Sequence, residues 1–135
     1  MSDPDCIFCK IVAGDLPSHR VHEDERTVAF MDIAPGNPGH LLVVPRTHAT
    51  NLLEIDREDL AAVAQSAQTM ARLVSERLDA DGVNVINSCG AAAWQTVFHL
   101  HFHVIPRYAG DPLTLPWIPA PGDPEAIAAV AAKLR

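Results

Sequence analysis

The chain has 135 residues, 48% of them apolar, which is enough for one domain with a sizeable core. Its formal net charge of −7 argues against general nucleic-acid binding and against docking on anionic membranes. No apolar run approaches the ~20 residues of a membrane helix, and the stretch after Met1 lacks a secretory pattern. Three cysteines, with a close Cys6-x-x-Cys9 pair, argue against a disulfide scaffold and for a cytoplasmic location.

Residues 6–16 read as a short N-terminal element ended by Gly14 and Pro17. Residues 19–24 suit a short strand. "TVAFMDI" (27–33) and "HLLVVP" (40–45) are β-branched and apolar, and the loop "APGNPG" between them makes the pair a hairpin. Residues 56–79 are the clearest helix: Asp56 is placed to cap it, and Glu58 and Asp59 favour its first turn. Leu60, Val63, Ala64, Ala67, Met70, Ala71, Val74 and Leu78 form its apolar stripe, and Gly82 is the expected stop. Residues 83–87 and 97–107 read as strands, the latter ended by Pro106. A Pro- and Gly-rich arm over 109–124 leads to a last helix with Asp123 as cap and Pro124 in its first turn.

This order predicts an α+β fold: an antiparallel sheet of about five strands with helices packed on one face. A single domain covers 1–135, with its core over 6–107 and an arm and short helix over 108–135.

The run "HLHFHVI" sets His99, His101 and His103 at a spacing of two. On a strand they share one face, while Leu100, Phe102 and Val104 face a core, most simply the long helix. Three readings compete for the imidazoles: an exposed polar strand face, a metal site, or phosphate chemistry with one His as nucleophile. Imidazole suits the third, being largely neutral and nucleophilic near pH 7, and a carbonyl at one ring nitrogen would free the other to attack. The Cys6-x-x-Cys9 pair is likewise open: two buried apolar-like thiols, a redox pair, or half of a zinc site.

The triad "HLHFHVI", with "CIFCKIVAGDLPSHRVHEDE", "TVAFMDIAPGNPGHLLVVPRTH" and "QTVFHLHFHVIPR", resembles the histidine-triad (HIT) family, nearest its Hint-like bacterial branch, over roughly 6–107. The resemblance implies a hydrolase or transferase for nucleoside 5′-phosphoramidates or dinucleoside polyphosphates, working through a covalent nucleotidyl-histidine. His101 matches the nucleophile, His103 the donor to phosphate oxygens, and the His99 carbonyl the group that orients His101. Gln95, Thr96 and Asn87 match positions beside the phosphate or leaving group. Asp32 matches the acid that holds the ribose, or is simply a turn-entry Asp. Phe8, Ile11, Phe30 and Ile33 match apolar positions around the base.

His48 and His99 match the residues that complete a structural Cys₂His₂ zinc site with Cys6 and Cys9. A homodimer is implied as well. The sequence departs from the family at Trp94, where many relatives have Gly, which bears on the leaving-group side. Two other functions remain open on the sequence: a low-activity nucleotide sensor or partner-binding module with a structural zinc, and a catalytic metal held by all three histidines. His19, His22 and His40 receive no role, and Trp117 reads as a packing anchor of the arm.

Overall fold

The computed structural model describes residues 2–135. Its elements are α1 (Ile7–Ala13), β1 (Arg20–Glu23), β2 (Thr27–Met31), β3 (Leu41–Pro45), α2 (Arg57–Arg77), β4 (Gly82–Asn87), β5 (Phe102–Arg107) and α3 (Pro124–Leu134), with a 3-10 turn at Ala91–Ala93. The strands form one five-stranded antiparallel sheet in the order β1-β2-β3-β5-β4.

The β2–β3 hairpin pairs from Thr27 opposite Pro45 to Met31 opposite Leu41. Strand alternation sends Ala29, Leu41 and Val43 to one face and Val28, Phe30, Leu42 and Val44 to the other. The first set packs with Leu100 and Val104 under Val63, Ala67, Met70 and Val74 of α2. The second packs under Phe8 and Ile11 of α1. The long helix therefore covers one face as the stripe predicts, and the short α1 sits on the opposite face. Its apolar patch, Phe8 and Ile11, is one turn long and covers only part of that face. The triad occupies what α1 leaves open.

Several boundaries differ from the sequence expectation. Asp56 takes the N-cap position of α2 without a side-chain cap bond. The stripe runs through Ser66, which is buried, and leaves Ala64 exposed. The Ser66 hydroxyl is satisfied by Thr27 Oγ1 at 2.7 Å and Asp24 Oδ2 at 3.2 Å, so a polar residue is tolerated there. The helix stops before Gly82: Asp79 takes a left-handed conformation (φ 53) that Asp tolerates, and Gly82 opens β4.

The last strand is shorter than its apolar alternation suggests. It starts at Phe102, the first residue facing both β3 (Val43) and β4 (Asn87), so residues 97–101 have no ladder partner. They are held instead by the Leu100 N–H donating to the Ala49 carbonyl at 2.7 Å and by bonds from the histidines. Pro106 does not end the strand, because pairing with β3 stops at Leu41 opposite Val104 and the missing N–H falls at an unpaired edge.

The arm is anchored only at its root. Asp111 takes two bonds from Arg107, both 2.8 Å, and one from Asn37. Beyond Leu113 the arm is exposed, so Trp117 does not anchor it against this chain. Asp123 caps α3 by accepting from the Glu125 N–H, with Pro124 in the first turn, yet α3 buries no residue. Ile127, Val130 and Leu134 stand exposed along it. Among the described residues no helix is long and apolar enough to cross a membrane.

Candidate active site

The triad reaches the α1 face as two irregular residues and one strand residue. Leu100 and Val104 are pinned in the core under α2, which forces His99, His101 and His103 the other way. Each imidazole meets a different set of partners.

His99 is fully buried. Its Nε2 lies 2.8 Å from the Pro45 carbonyl, so the proton sits on Nε2 and Nδ1 carries the lone pair. That Nδ1 faces Cys6 Sγ at 3.4 Å, Cys9 Sγ at 3.5 Å and His48 Nδ1 at 3.3 Å, and Cys9 Sγ lies 3.4 Å from His48 Nδ1. All four ligand atoms lie within 4.8 Å of one another. A tetrahedral zinc with ordinary bond lengths requires S···N of about 3.6 Å and N···N of about 3.3 Å. The spacing fits, and so does the chemistry of the donors. The Cys9 N–H points at Cys6 Sγ (3.3 Å) and the Asp3 N–H at Cys9 Sγ (3.4 Å), which suits thiolates. The Pro45 carbonyl is the outer partner that a ligating His needs. Burial holds His99 neutral, with its pKa pushed down to about 4, and the neighbouring His48 and His101 push the same way. These four residues could hold a metal.

His101 is 6% exposed, with its ring edge-on to Phe8 at 5.1 Å between centroids. Its Nδ1 lies 2.8 Å from the His99 carbonyl. A carbonyl only accepts, so Nδ1 bears the proton and the Nε2 lone pair is free. Burial lowers its pKa, against the opposing pull of that bond and of Asp32, which favours the neutral, nucleophilic form.

Both His101 and His103 line a cavity of about 370 Å³ on the α1 face, with Phe8, Ile11, Phe30, Asp32, Ile33 and Thr96 among its walls. That volume suits a small-molecule ligand. Phe8 and Phe30 meet edge to face at 5.4 Å. Ile33 is a rim residue, 93% exposed. Asp32 Oδ1 accepts from the Ala34 N–H at 2.8 Å, as a turn-entry Asp does, while Oδ2 faces the His40 and His103 rings at 3.4 and 4.0 Å. A larger hollow of about 750 Å³ lies between β1 and α2, walled by Val21, Leu73 and Leu78. It is mainly apolar and contains no histidine, cysteine or carboxylate, so the chemistry belongs to the smaller one.

Asn87 sits behind His101, its Nδ2 donating to the His101 carbonyl at 3.1 Å. Its Oδ1 is buried without a partner, and Asn87 is not among the residues that wall the cavity. Gln95 is 3% exposed and is turned away from the cavity. Its amide takes the Gly90 N–H (2.8 Å) and donates to the Thr50 and Val97 carbonyls (2.7 and 3.1 Å). With both N–H groups engaged, it braces the 90–97 loop instead of presenting a donor to phosphate. Trp94 occupies that loop in the left-handed region (φ 75), which explains why Gly is the easier residue there, and its indole is 70% exposed.

The residue that sequence reasoning passed over is His40. It is buried, and its Nε2 lies 2.9 Å from His103 Nδ1. The signal was the register: Leu42 faces His103 across β3 and β5, so His40, two residues earlier, shares that face.

Comparison with known proteins agrees with this geometry. A family model described as the HIT domain matches residues 13–110. The chain is 43% identical over 113 residues to the Bacillus subtilis "Protein hit", covering 83% of this chain and 78% of that one. A zinc-bound histidine triad family protein from Mycobacterium smegmatis superposes with a TM-score of 0.79 at 42% identity, over 96% of this chain and 95% of that one. A histidine triad nucleotide-binding protein from Candida albicans superposes with a TM-score of 0.85 at 29% identity, over 96% and 94%. Taken with the five-stranded sheet and the three alternating imidazoles, these matches show that the chain belongs to the HIT family.

Proposed function

We propose that the chain is a nucleotide hydrolase or transferase acting on nucleoside 5′-phosphoramidates or dinucleoside polyphosphates through a covalent intermediate on His101. The observation that carries this reading is the 2.8 Å bond from His101 Nδ1–H to the His99 carbonyl, which leaves a lone pair at Nε2 beside the cavity. The Candida albicans neighbour's description as nucleotide-binding supports the ligand class.

In this reading the base lies against Phe8, Ile11, Phe30 and Ile33, and the free lone pairs of Asp32 accept the ribose hydroxyls. His101 Nε2 forms a bond to the α-phosphorus as the bond to the leaving nitrogen or oxygen breaks. The leaving group departs with that electron pair and takes up a proton. Water, or another acceptor, then attacks phosphorus, loses a proton, and returns the electron pair to Nε2. In this reading His103 donates to the phosphate oxygens, Thr96 lines the same cavity, and Asn87 acts from behind through the His101 carbonyl. Gln95 contributes as the brace of the loop.

Zinc on Cys6, Cys9, His48 and His99 would have four protein ligands and a structural role, tying α1 and the segment after β3 to the triad. Bound there, it would fix the backbone whose carbonyl orients His101. Three free cysteines, two of them facing the His48 and His99 rings, fit a reducing cytoplasm. A homodimer would cover the exposed Val85 and Ile86 on edge strand β4 and the bare apolar side of α3. Sedimentation at low concentration tests it.

The functional test is hydrolysis of adenosine 5′-phosphoramidate and of a dinucleoside polyphosphate. Turnover by the wild type that is lost in His101→Ala supports the reading. Nucleotide binding without turnover of either substrate overturns it in favour of a sensor.

A further inference from the structure

The loop before the triad carries one large side chain with no role in the fold. Trp94 follows three alanines, Ala91 to Ala93, and precedes Gln95. It takes a left-handed conformation (φ 75), which a Cβ disfavours and a bulky residue rarely adopts. Its indole is mostly exposed and belongs to neither core cluster. Among the described residues no aromatic ring packs against it. The chain thus keeps a bulky ring on a strained backbone and buries little of it. Such outliers collect at functional sites.

The loop is firm where the indole leaves it. The Gly90 carbonyl accepts from the Ala93 N–H at 3.0 Å and from the Gln95 N–H at 3.1 Å, and the Ala91 carbonyl accepts from the Trp94 N–H at 3.1 Å. The Gln95 amide ties the same turn to Gly90, Thr50 and Val97. The root of the ring is thereby fixed, which lowers the ordering cost of a ligand stacked on it.

Gln95 also orients its neighbours. Its side chain is buried, while Trp94 and Thr96 on either side are exposed. Thr96 walls the cavity that His101 and His103 share. Two residues of chain span at most about 7 Å, so the indole springs from within that distance of a cavity wall. Trp94 does not itself wall the cavity, and so stands beyond the space that takes the nucleotide. In-line displacement puts the leaving group opposite His101 Nε2. His101 is buried, so it attacks from the inner side and the leaving group points outward.

We propose that Trp94 is a specificity-determining residue whose indole stacks on an aromatic ring carried, on a short tether, by the leaving group. Charge selects the kind of leaving group. The cavity walls include Asp32 and neither Lys nor Arg. An adjoining hollow, which shares Ile7, Thr96 and Val97 with the cavity, adds Asp3 and Asp5. A polyphosphate would bring several negative charges to this place with no cation to meet them, whereas an amine brings none. The substrate class is therefore a nucleoside 5′-phosphoramidate of an arylalkylamine. As the bond from His101 Nε2 to phosphorus forms, the phosphorus–nitrogen bond breaks towards nitrogen. The nitrogen takes up one proton from solvent and leaves as the free amine.

This proposal rests on the nucleotidyl-transfer reading for its chemistry, so its test uses ratios and includes an arm without turnover. The probes are the 2-phenylethyl and 2-cyclohexylethyl phosphoramidates of adenosine 5′-monophosphate, which share a tether and differ in the π face. In the wild type kcat/KM should favour the phenyl substrate about fivefold. Trp94→Leu should bring the ratio to about one, and Trp94→Phe should keep roughly half of the preference. A general effect of either substitution on the nucleotide site cancels in the ratio. The second arm measures, by calorimetry, the affinities of the two matching sulfamates, which keep the tether and lack the phosphorus. The same preference, lost in Trp94→Leu, is expected there.

A ratio near one in the wild type, or one unchanged in Trp94→Leu, overturns the proposal. A Trp94-dependent preference for diadenosine tetraphosphate over adenosine tetraphosphate that exceeds the phenyl preference would give the ring to a second base and overturn the amine class. Sedimentation in which Trp94→Leu shifts a monomer–dimer equilibrium while the ratios stay fixed would give the indole to a partner copy and overturn it too. A Trp94-dependent preference among the sulfamates, with no turnover of any phosphoramidate, would leave the stacking residue standing and reject the activity. Turnover that is lost in His101→Ala, with flat ratios in both arms, would do the reverse.

Discussion

Gly39 leads directly into His40 and takes φ 94, a left-handed conformation. An added Cβ there would collide with Leu78 Cδ1 and lie 2.9 Å from Pro106 Cγ. Gly14, at the end of α1, is also left-handed (φ 84), but a Cβ there meets nothing within 4 Å. Comparing Gly39→Ala with Gly14→Ala separates backbone strain from packing. Left-handed strain costs both variants about 1–2 kcal/mol. Overpacking adds about 1–3 kcal/mol at Gly39, because the Leu78 methyl can swing aside but the buried Pro106 ring cannot. The expected losses are thus about 1 kcal/mol for Gly14→Ala and about 3 kcal/mol for Gly39→Ala. Urea unfolding followed by circular dichroism measures both, and an unchanged m-value would show that the unfolded state is not the cause. Equal losses in the two variants would refute the packing of the 34–39 loop against β5 and α2, and with it the placement of His40.

Other outcomes follow from the same geometry. His101→Ala should lower kcat/KM by about 10³-fold or more while nucleotide affinity stays within a few-fold. Cys6→Ser should take the metal content from about one zinc per chain towards zero and lower Tm, whereas full zinc retention would break the ligand assignment. Trp94→Gly should raise stability slightly, by about 0.5 kcal/mol, because relief of left-handed strain exceeds the entropy cost of Gly at an exposed site. A loss there would mean that the indole makes a stabilising contact. His103, neutral in the fold down to about pH 4, takes up its proton in the unfolded chain near 6.5. The unfolded state therefore binds more protons between these values, and stability should fall as pH drops through that window. His103→Gln should flatten the slope in urea titrations at successive pH values.

The sequence carried the α1-face chemistry unevenly. The alternation at 99–104 was readable because Leu100 and Val104 are core residues whose burial dictates where the histidines point. It could not show that the strand begins at Phe102, because that depends on where β3 and β4 end. The candidate metal donors lie 93 residues apart between Cys6 and His99, so only resemblance could bring them together before the fold did. His40 was missed for a similar reason. A lone His at a strand start has no distinctive pattern, and its partner sits on β5, which neighbours β3 only through the β1-β2-β3-β5-β4 order. Gln95 shows the opposite error. Its position beside the triad suggested phosphate contact, but the local chain turns its amide onto three backbone groups. The bare face of α3 had no sequence signature beyond its helical period, since its own chain leaves Ile127, Val130 and Leu134 uncovered.

The central claim is that His101 carries the nucleotide during turnover. Protein quenched in cold alkaline denaturant during the first turnovers with adenosine 5′-phosphoramidate, and kept cold and at alkaline pH, can be read by intact mass and then by peptide fragmentation. A covalent nucleotidyl group on His101, formed before free nucleoside monophosphate accumulates and absent in His101→Ala, is the required result. Rapid product release with no adduct on any histidine, or an adduct that persists in His101→Ala, would contradict it.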